Sequence, residues 1–407
     1  MLADIGRRRI LSGAVFVLAD LARAQAATAT RTIRQFGARG DGVSDDSAAL
    51  VKAFSSGRPV DGEGLTYGVV GSLRIGAMFK GASNCVLRQF AGSERGRVLS
   101  IENASGFNFS NVRLLRSNGD DNAFVESDVG EQGGFWFLRC SQFKMSRVVA
   151  TGGGVGTSLT LSDCSVFSIE DPKVSSIRYH RHQRPRDDIL HGIWLNRCRQ
   201  FELVRPWVTD LGGVDDQGFS RDNNRAIAVS GCQAFRITDL TVSDCGQGLD
   251  VTGSDGNHDF QIVRGHAANC WTWGFKFANS AQHVRVSGAI AEACGLGGFV
   301  VSGRSELSDP PPEDIEFLEC QALDCGRLDI PQSTFGFGVL HARPDSVYPQ
   351  NVRFVRCAAV DRRPKKGMKW GFLNEINAPP PGANVVMNCT VRGASVSEFR
   401  GFGATAS

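Results

Sequence analysis

Between His191 and Ser302 the apolar residues return in short blocks rather than at a helical spacing. Each block opens on a small residue followed by apolar, variable and apolar positions: Gly192-Ile193-Trp194-Leu195, Ala226-Ile227-Ala228-Val229, Gly248-Leu249-Asp250-Val251, Gly274-Phe275-Lys276-Phe277 and Gly298-Phe299-Val300-Val301. By subtraction the openings lie 34, 22, 26 and 24 residues apart. Phe201-Glu202-Leu203, Phe235-Arg236-Ile237 and Phe260-Gln261-Ile262 follow the first three openings at similar offsets. Apolar-variable-apolar alternation is the period of a strand. Its recurrence every few tens of residues predicts a solenoid, in which each unit is a coil of two or three short strands stacked on the next. Stacked coils share one continuous core, so a chain of 407 residues is expected to form one domain.

The same pattern extends in both directions with less regularity. Val69 to Ile75, Met78 to Val86, Val98 to Ile101, Phe135 to Leu138 and Leu159 to Leu161 read as earlier coils. Beyond Ser302 the turns lengthen and carry Pro310 to Pro312, Pro344 to Pro349 and Pro379 to Pro381. An insertion between Ile169 and Gly192 holds Tyr179, His180, His182, Asp187, Asp188 and His191.

Ahead of the first coil stands Phe36-Gly37-Ala38-Arg39-Gly40-Asp41-Gly42-Val43-Ser44-Asp45-Asp46-Ser47, running into Ala48-Ala49-Leu50. This resembles the N-terminal signature of the pectate-lyase-like (pectin lyase fold) superfamily, whose form is Phe, Gly-Ala, a variable residue, Gly-Asp-Gly, two variable residues and Asp-Asp. The resemblance implies an all-β fold: a single-stranded right-handed parallel β-helix of about ten coils, capped by an N-terminal helix. Glycines permit the positive φ of tight turns, and Asp45, Asp46 and Ser47 are expected to cap the helix. The signature is therefore read as structural. The predicted boundaries are a leader over 1–26, signature and capping helix over 27–62, the β-helix over 63–395 and a loose tail over 396–407.

Composition narrows the surroundings. A formal net charge of +3 and the lack of a long Lys/Arg run argue against a nucleic-acid partner, and Arg362 to Lys366 reads as a solvated loop. Arg7-Arg8-Arg9-Ile10-Leu11 resembles the core of a bacterial twin-arginine signal, with Ala24-Gln25-Ala26 as a cleavage site. Its apolar run is too short to span a bilayer, so no integral membrane segment is expected and the address is periplasmic or extracellular. Most of the 12 cysteines recur in phase with the coils, at Cys140, Cys164, Cys198 and Cys232, at Cys245, Cys270 and Cys294, and at Cys320, Cys357 and Cys389. In-phase recurrence predicts stacks of buried thiols rather than disulfides, and the absence of Cys-x-x-Cys leaves zinc without support.

Alternation sends Trp194, Ala228, Asp250, Lys276 and Val300 outward in one column, with Asp250 and Lys276 as neighbours. A second column, His191, Arg225, Gln247, Trp273 and Trp370, would point inward under strict alternation. The superfamily resemblance places a substrate groove on the first sheet and the turns leading into it. Candidate catalytic residues are Asp250, Lys276, His191, Arg225 and Asp222. Candidate binding residues are Trp194, Trp273, Trp271, Gln247, Tyr179, His182 and Asp188, the indoles because they pair an apolar face with a polar edge. No metal-ligand set is singled out, although a Ca ion would suit a uronate substrate.

Two reaction types fit. A lyase acting on uronic acids needs cations for the carboxylate, a base and an acid, and Lys276, Arg225, His191 and Tyr179 are of the right types. A glycoside hydrolase or transglycosylase needs two carboxylates, for which Asp250 with Asp222, or Asp187 with Asp188, are candidates. The Asn-Thr-Asp and Arg-Ile-Lys motifs of the polygalacturonase branch are missing. The leading expectation is an exported enzyme cleaving an extracellular polysaccharide by β-elimination at a uronate. A non-catalytic polysaccharide-binding β-helix is the alternative of another class, and a surface ion pair is the plainest reading of Asp250 and Lys276.

Overall fold

The apolar blocks form the strands that their alternation predicts. A computed structural model describes residues 30–90, 97–116, 133–153, 156–177, 191–212, 224–253, 256–303, 310–328, 334–341, 348–375 and 384–402. The chain is a right-handed parallel β-helix. Its strands assemble into a 12-stranded sheet and a 24-stranded sheet that supplies the other two sides of each coil. The pairings between coils among the described residues are parallel, and like positions fall in register, as in His191↔Arg225, Arg225↔Gln247 and Leu249↔Phe275.

Inward positions repeat from coil to coil, so like side chains stack on like. Phe143, Phe167, Phe201, Phe235 and Phe260 form a file with ring centroids 4.4 to 4.9 Å apart. Phe275, Phe299, Phe337 and Phe372 form a second file at 4.8 to 4.9 Å. The thiols do the same at the corners. All 12 cysteines are free, and Cys164, Cys198 and Cys232 each donate to a carbonyl of the preceding coil at 3.3 to 3.5 Å. Burial, the first cause, holds the Cys198 thiol well above its ordinary pKa, so these groups act as small apolar fillers.

The N-terminal signature is part of the first coils rather than a prelude to them. Arg31–Thr32 pairs with Val60–Asp61, and Asp41–Asp45 pairs with the strand Thr66–Val69. The helix Ser47–Phe54 plugs the open end, with Leu50, Ala53 and Phe54 buried and the Phe54 ring edge-on to Phe79 at 5.8 Å. The cap differs from expectation. Asp46 occupies the N-cap position without a side-chain capping bond, because its carboxylate accepts from Arg39 N at 2.7 Å and Gly40 N at 3.2 Å. Asp45 accepts from Ser47 N instead, at 3.0 Å. Backbone hydrogen bonds from Ser44 and Val43 lower the Asp41 pKa to about 2.

One other expectation needs correcting at the C-terminal end. Arg362 to Lys366 is the solvated loop expected and is also tied down: Arg362 pairs with Asp324 and Glu292, Arg363 with Asp361, and Lys366 Nζ donates to Asp361 O at 2.6 Å. Ser397–Arg400, placed in the tail by sequence, is the last strand of the 12-stranded sheet and pairs with Trp370–Asn374. Residues 1–29 and 403–407, and with them the twin-arginine motif, lie outside the described residues.

Candidate functional site

The second outward column owes its direction to the small residue that opens each block. Gly192 has no strand partner in register, whereas His191↔Arg225 and Ile193↔Ile227 do. A Cβ on Gly192 would point into the coil, 2.5 Å from Val208 Cγ1 and 2.6 Å from Ala226 O. Ile193 is also buried inside. Two successive residues therefore face inward, and the residue before them turns back to the outer face. Gly248 and Gly274 repeat this arrangement, their absent Cβ atoms aimed at Val242 and Ala267 and at Ala291 and Cys294. Strict alternation fails because a break in the ladder intervenes. His191, Arg225, Gln247 and Trp273 consequently stand outward beside Trp194, Asp250 and Lys276.

At the centre of this face Asp250 is 0% exposed, although it points away from the core. Arg225 Nε lies 2.5 Å from its Oδ2 and Lys276 Nζ lies 3.5 Å from its Oδ1. Neither carboxylate oxygen receives an aligned hydrogen bond. The two cations compensate its charge, yet its directed bonding capacity is unused. Within the strands His191–Asn196, Arg225–Ser230, Gln247–Val251 and Trp273–Ala278, Asp250 is the one carboxylate.

Two coils before Asp250, His191 stacks on Trp194, with centroids 5.2 Å apart and planes 25° apart. Its Nδ1 lies 3.3 Å from Thr157 Oγ1, and its buried Nε2 has no partner. Burial first, and the Arg225 charge second, push the imidazole down to about 3, so it is neutral at ordinary pH. Asn224, immediately before Arg225, is fully buried with neither amide atom hydrogen-bonded. Three adjacent coils thus bring together buried polar atoms that an inert sheet surface would leave in water or satisfy.

The other sequence candidates divide. Gln247 joins the column between Arg225 and Trp273 and is buried. Trp273 faces outward but packs with Phe335 at 5.5 Å, in a small apolar cluster with Val300 and Leu373. Trp271 belongs to the preceding turn, where the Arg327 guanidinium lies 6.0 Å from its ring centroid. Asp222, Tyr179, His182 and Asp188 lie outside the described residues. Sequence reading overlooked Thr157, Asn224 and Phe335. Thr157 could have been found by carrying the His191 column back one coil, and Phe335 by carrying Trp273 forward two. Among the described residues no three His, Cys, Asp or Glu side chains converge as a metal site. No helix among them is long and apolar enough to cross a membrane.

No family model matches the chain, and no curated protein matches it. Solved structures do. The chain is similar to the A-module of a mannuronan C-5 epimerase from Azotobacter vinelandii, at 14% identity and TM-score 0.53, over 93% of this chain and 98% of that one. It is similar to a tailspike protein double mutant of E. coli bacteriophage HK620 in complex with pentasaccharide, at 13% identity and TM-score 0.60, over 89% of this chain and 67% of that one. It also resembles the Streptococcus pneumoniae surface protein and adhesin PfbA, at 10% identity and TM-score 0.56, over 91% and 99% of the two chains. At these identities the likeness concerns the fold, and the chain shares the parallel β-helix of all three.

Proposed function

We propose that this protein is an exported carbohydrate-active enzyme that cleaves an acidic polysaccharide by β-elimination on the outer face of the 12-stranded sheet. The observation that carries the reading is the convergence of Arg225, Lys276, a buried Asp250 and a neutral His191, with Nε2 of His191 and the Asn224 amide unpartnered. Elimination next to a uronate requires the carboxylate to be neutralised before the α-proton becomes acidic, and two adjacent cations are suited to that task. Asp250 holds both cations in place, so they need no reorganisation when substrate arrives. His191 takes the α-proton. The electron pair left behind forms the ring double bond and expels the glycosidic oxygen, which receives a proton from Lys276.

A bound uronate also adjusts the base. Its negative charge beside Arg225 offsets the cation that disfavours protonated His191, raising the imidazole toward a useful range. The named carbohydrate associations of the epimerase and the tailspike agree with a polysaccharide substrate. Incubation with acidic and neutral polysaccharides, following both ultraviolet absorbance of unsaturated uronates and release of reducing ends, tests the reading. Absorbance should rise with an acidic polymer. Reducing ends without unsaturated product would replace elimination by hydrolysis, and binding without any product would make the protein a non-catalytic binder.

A further inference from the structure

C-terminal to the charged centre, the same outer face changes character. Lys276 is followed in one register column by Val300, Gly338, Leu373 and Arg400. Val300 and Leu373 are buried, and Arg400 is exposed. The parallel column runs Trp273, Gly297, Phe335, Trp370 and Ser397. Phe335 stacks on Trp273 at 5.5 Å, filling the space that side chains at Gly297 and Gly338 would take. The Arg400 guanidinium lies 4.8 Å from the Trp370 ring centroid. Two cations thus bracket an apolar strip edged by two partly exposed indoles.

From this we infer that the substrate is an acidic heteropolysaccharide in which neutral sugars separate the uronates. The inference rests on the proposed acidic-polysaccharide function. Four rungs separate Lys276 from Arg400, about 19 Å at the inter-strand spacing. A polysaccharide laid along the axis advances by roughly one sugar per rung. Within these two columns of described residues, a uronate held at Arg225 and Lys276 has its next cationic partner some four sugars away, at Arg400. Sugars between them lie over the half-exposed indoles of Trp273 and Trp370, which pack against the buried Val300 and Leu373. Neutral pyranoses place C–H surface there favourably. A carboxylate in the same position would lose water without gaining a hydrogen-bonding or charged partner. A homopolymer of uronates is excluded by the same strip that receives the mixed chain.

The test is equilibrium binding of the full chain to length-matched oligosaccharides of deacylated gellan, with one uronate per linear tetrasaccharide repeat, of polygalacturonate, and of neutral cellulose. Gellan fragments should bind at least tenfold more tightly than either of the others. Arg400→Ala, at an exposed position, and Trp370→Ala should each weaken gellan-fragment binding at least fivefold, with Trp370→Phe retaining most of it. Val300→Lys should strengthen polygalacturonate binding. Equal affinity for gellan and polygalacturonate fragments, or unchanged gellan binding in both Arg400→Ala and Trp370→Ala, would overturn the inference while leaving the acidic-polysaccharide function standing. Failure to bind either acidic oligosaccharide would overturn the function itself, and the inference with it.

Discussion

The outer surfaces of the two sheets obey one stacking rule and arrive at opposite results. Along the 24-stranded sheet and its corners, charges of successive coils pair in water: Lys144 with Glu170 at 2.8 Å, Arg205 with Asp171 at 2.7 Å, and Arg264 with Asp239 at 2.7 Å. Exposed His258, Asp259, His283 and Asp314 extend the same habit. Hydrogen bonds from Arg205 and Arg264 lower the pKa of Asp171 and Asp239, an ordinary consequence of solvated pairing. On the 12-stranded sheet, Asp250 is paired but wholly buried, and His191 and Asn224 keep unbonded atoms. Buried polar groups without directed partners cost stability. Single buried polar atoms without partners also occur elsewhere, as at Trp136, Arg236 and His341, but their concentration around His191, Asn224, Arg225 and Asp250 marks a place shaped by something other than folding.

Removing the buried charge should separate the two faces most clearly. Asp250→Ala, assayed on the polymer cleaved by the wild type, should lose at least about a hundredfold in rate. Its melting temperature should fall as well, because Arg225 and Lys276, with side chains only 16% and 20% exposed, lose their counter-charge. A drop of several degrees with activity intact would reassign the pair to structure.

Acid titration of His191 should give the next largest effect. Its folded pKa of about 3 lies below the ordinary 6.5, so the unfolded state takes up the proton first. The stability tied to neutral His191 is complete above pH 6.5 and is lost as pH falls toward 3, by at most about 5 kcal/mol. Thermal melts from pH 7 to pH 4 should fall less steeply for His191→Gln than for the wild type. Parallel curves would show that the imidazole is not held neutral by burial.

Gly192→Ala tests the break that turns the column outward. The added methyl meets Val208 Cγ1 at 2.5 Å and the Ala226 carbonyl at 2.6 Å, so about 1–3 kcal/mol of destabilisation is expected in denaturant melts. The smallest effect belongs to the solvated face. Arg264→Ala should barely move the denaturant midpoint, move it less still in salt, and leave activity unchanged.

Much of the architecture was legible because a solenoid writes its core into sequence many times. The Ile193, Ile227, Leu249, Phe275 and Phe299 positions repeat, and so do the Phe and Cys files. Asp250 and Lys276 were legible as neighbours for the same reason. The direction of His191 and Arg225 was not. It depends on a break at Gly192 whose cause, the crowding of Val208, Leu211 and the next coil's carbonyl, lies on other strands. The side-chain cap expected of Asp46 failed for a similar reason, since its carboxylate is claimed by the backbone of the preceding turn. The C-terminal strand Ser397–Arg400 was taken for tail because its pattern has no further coil to repeat into.

By itself the sequence determined the coil, its inward files and the phase of the column through Trp194, Asp250 and Lys276, because periodic burial of apolar side chains leaves a periodic record. Only the tertiary structure decided which of those columns is buried on its outer side. Desolvation is set by everything packed around a group rather than by its own position in the repeat. That difference turns Asp250 from one more charge in a ladder into the centre of a site.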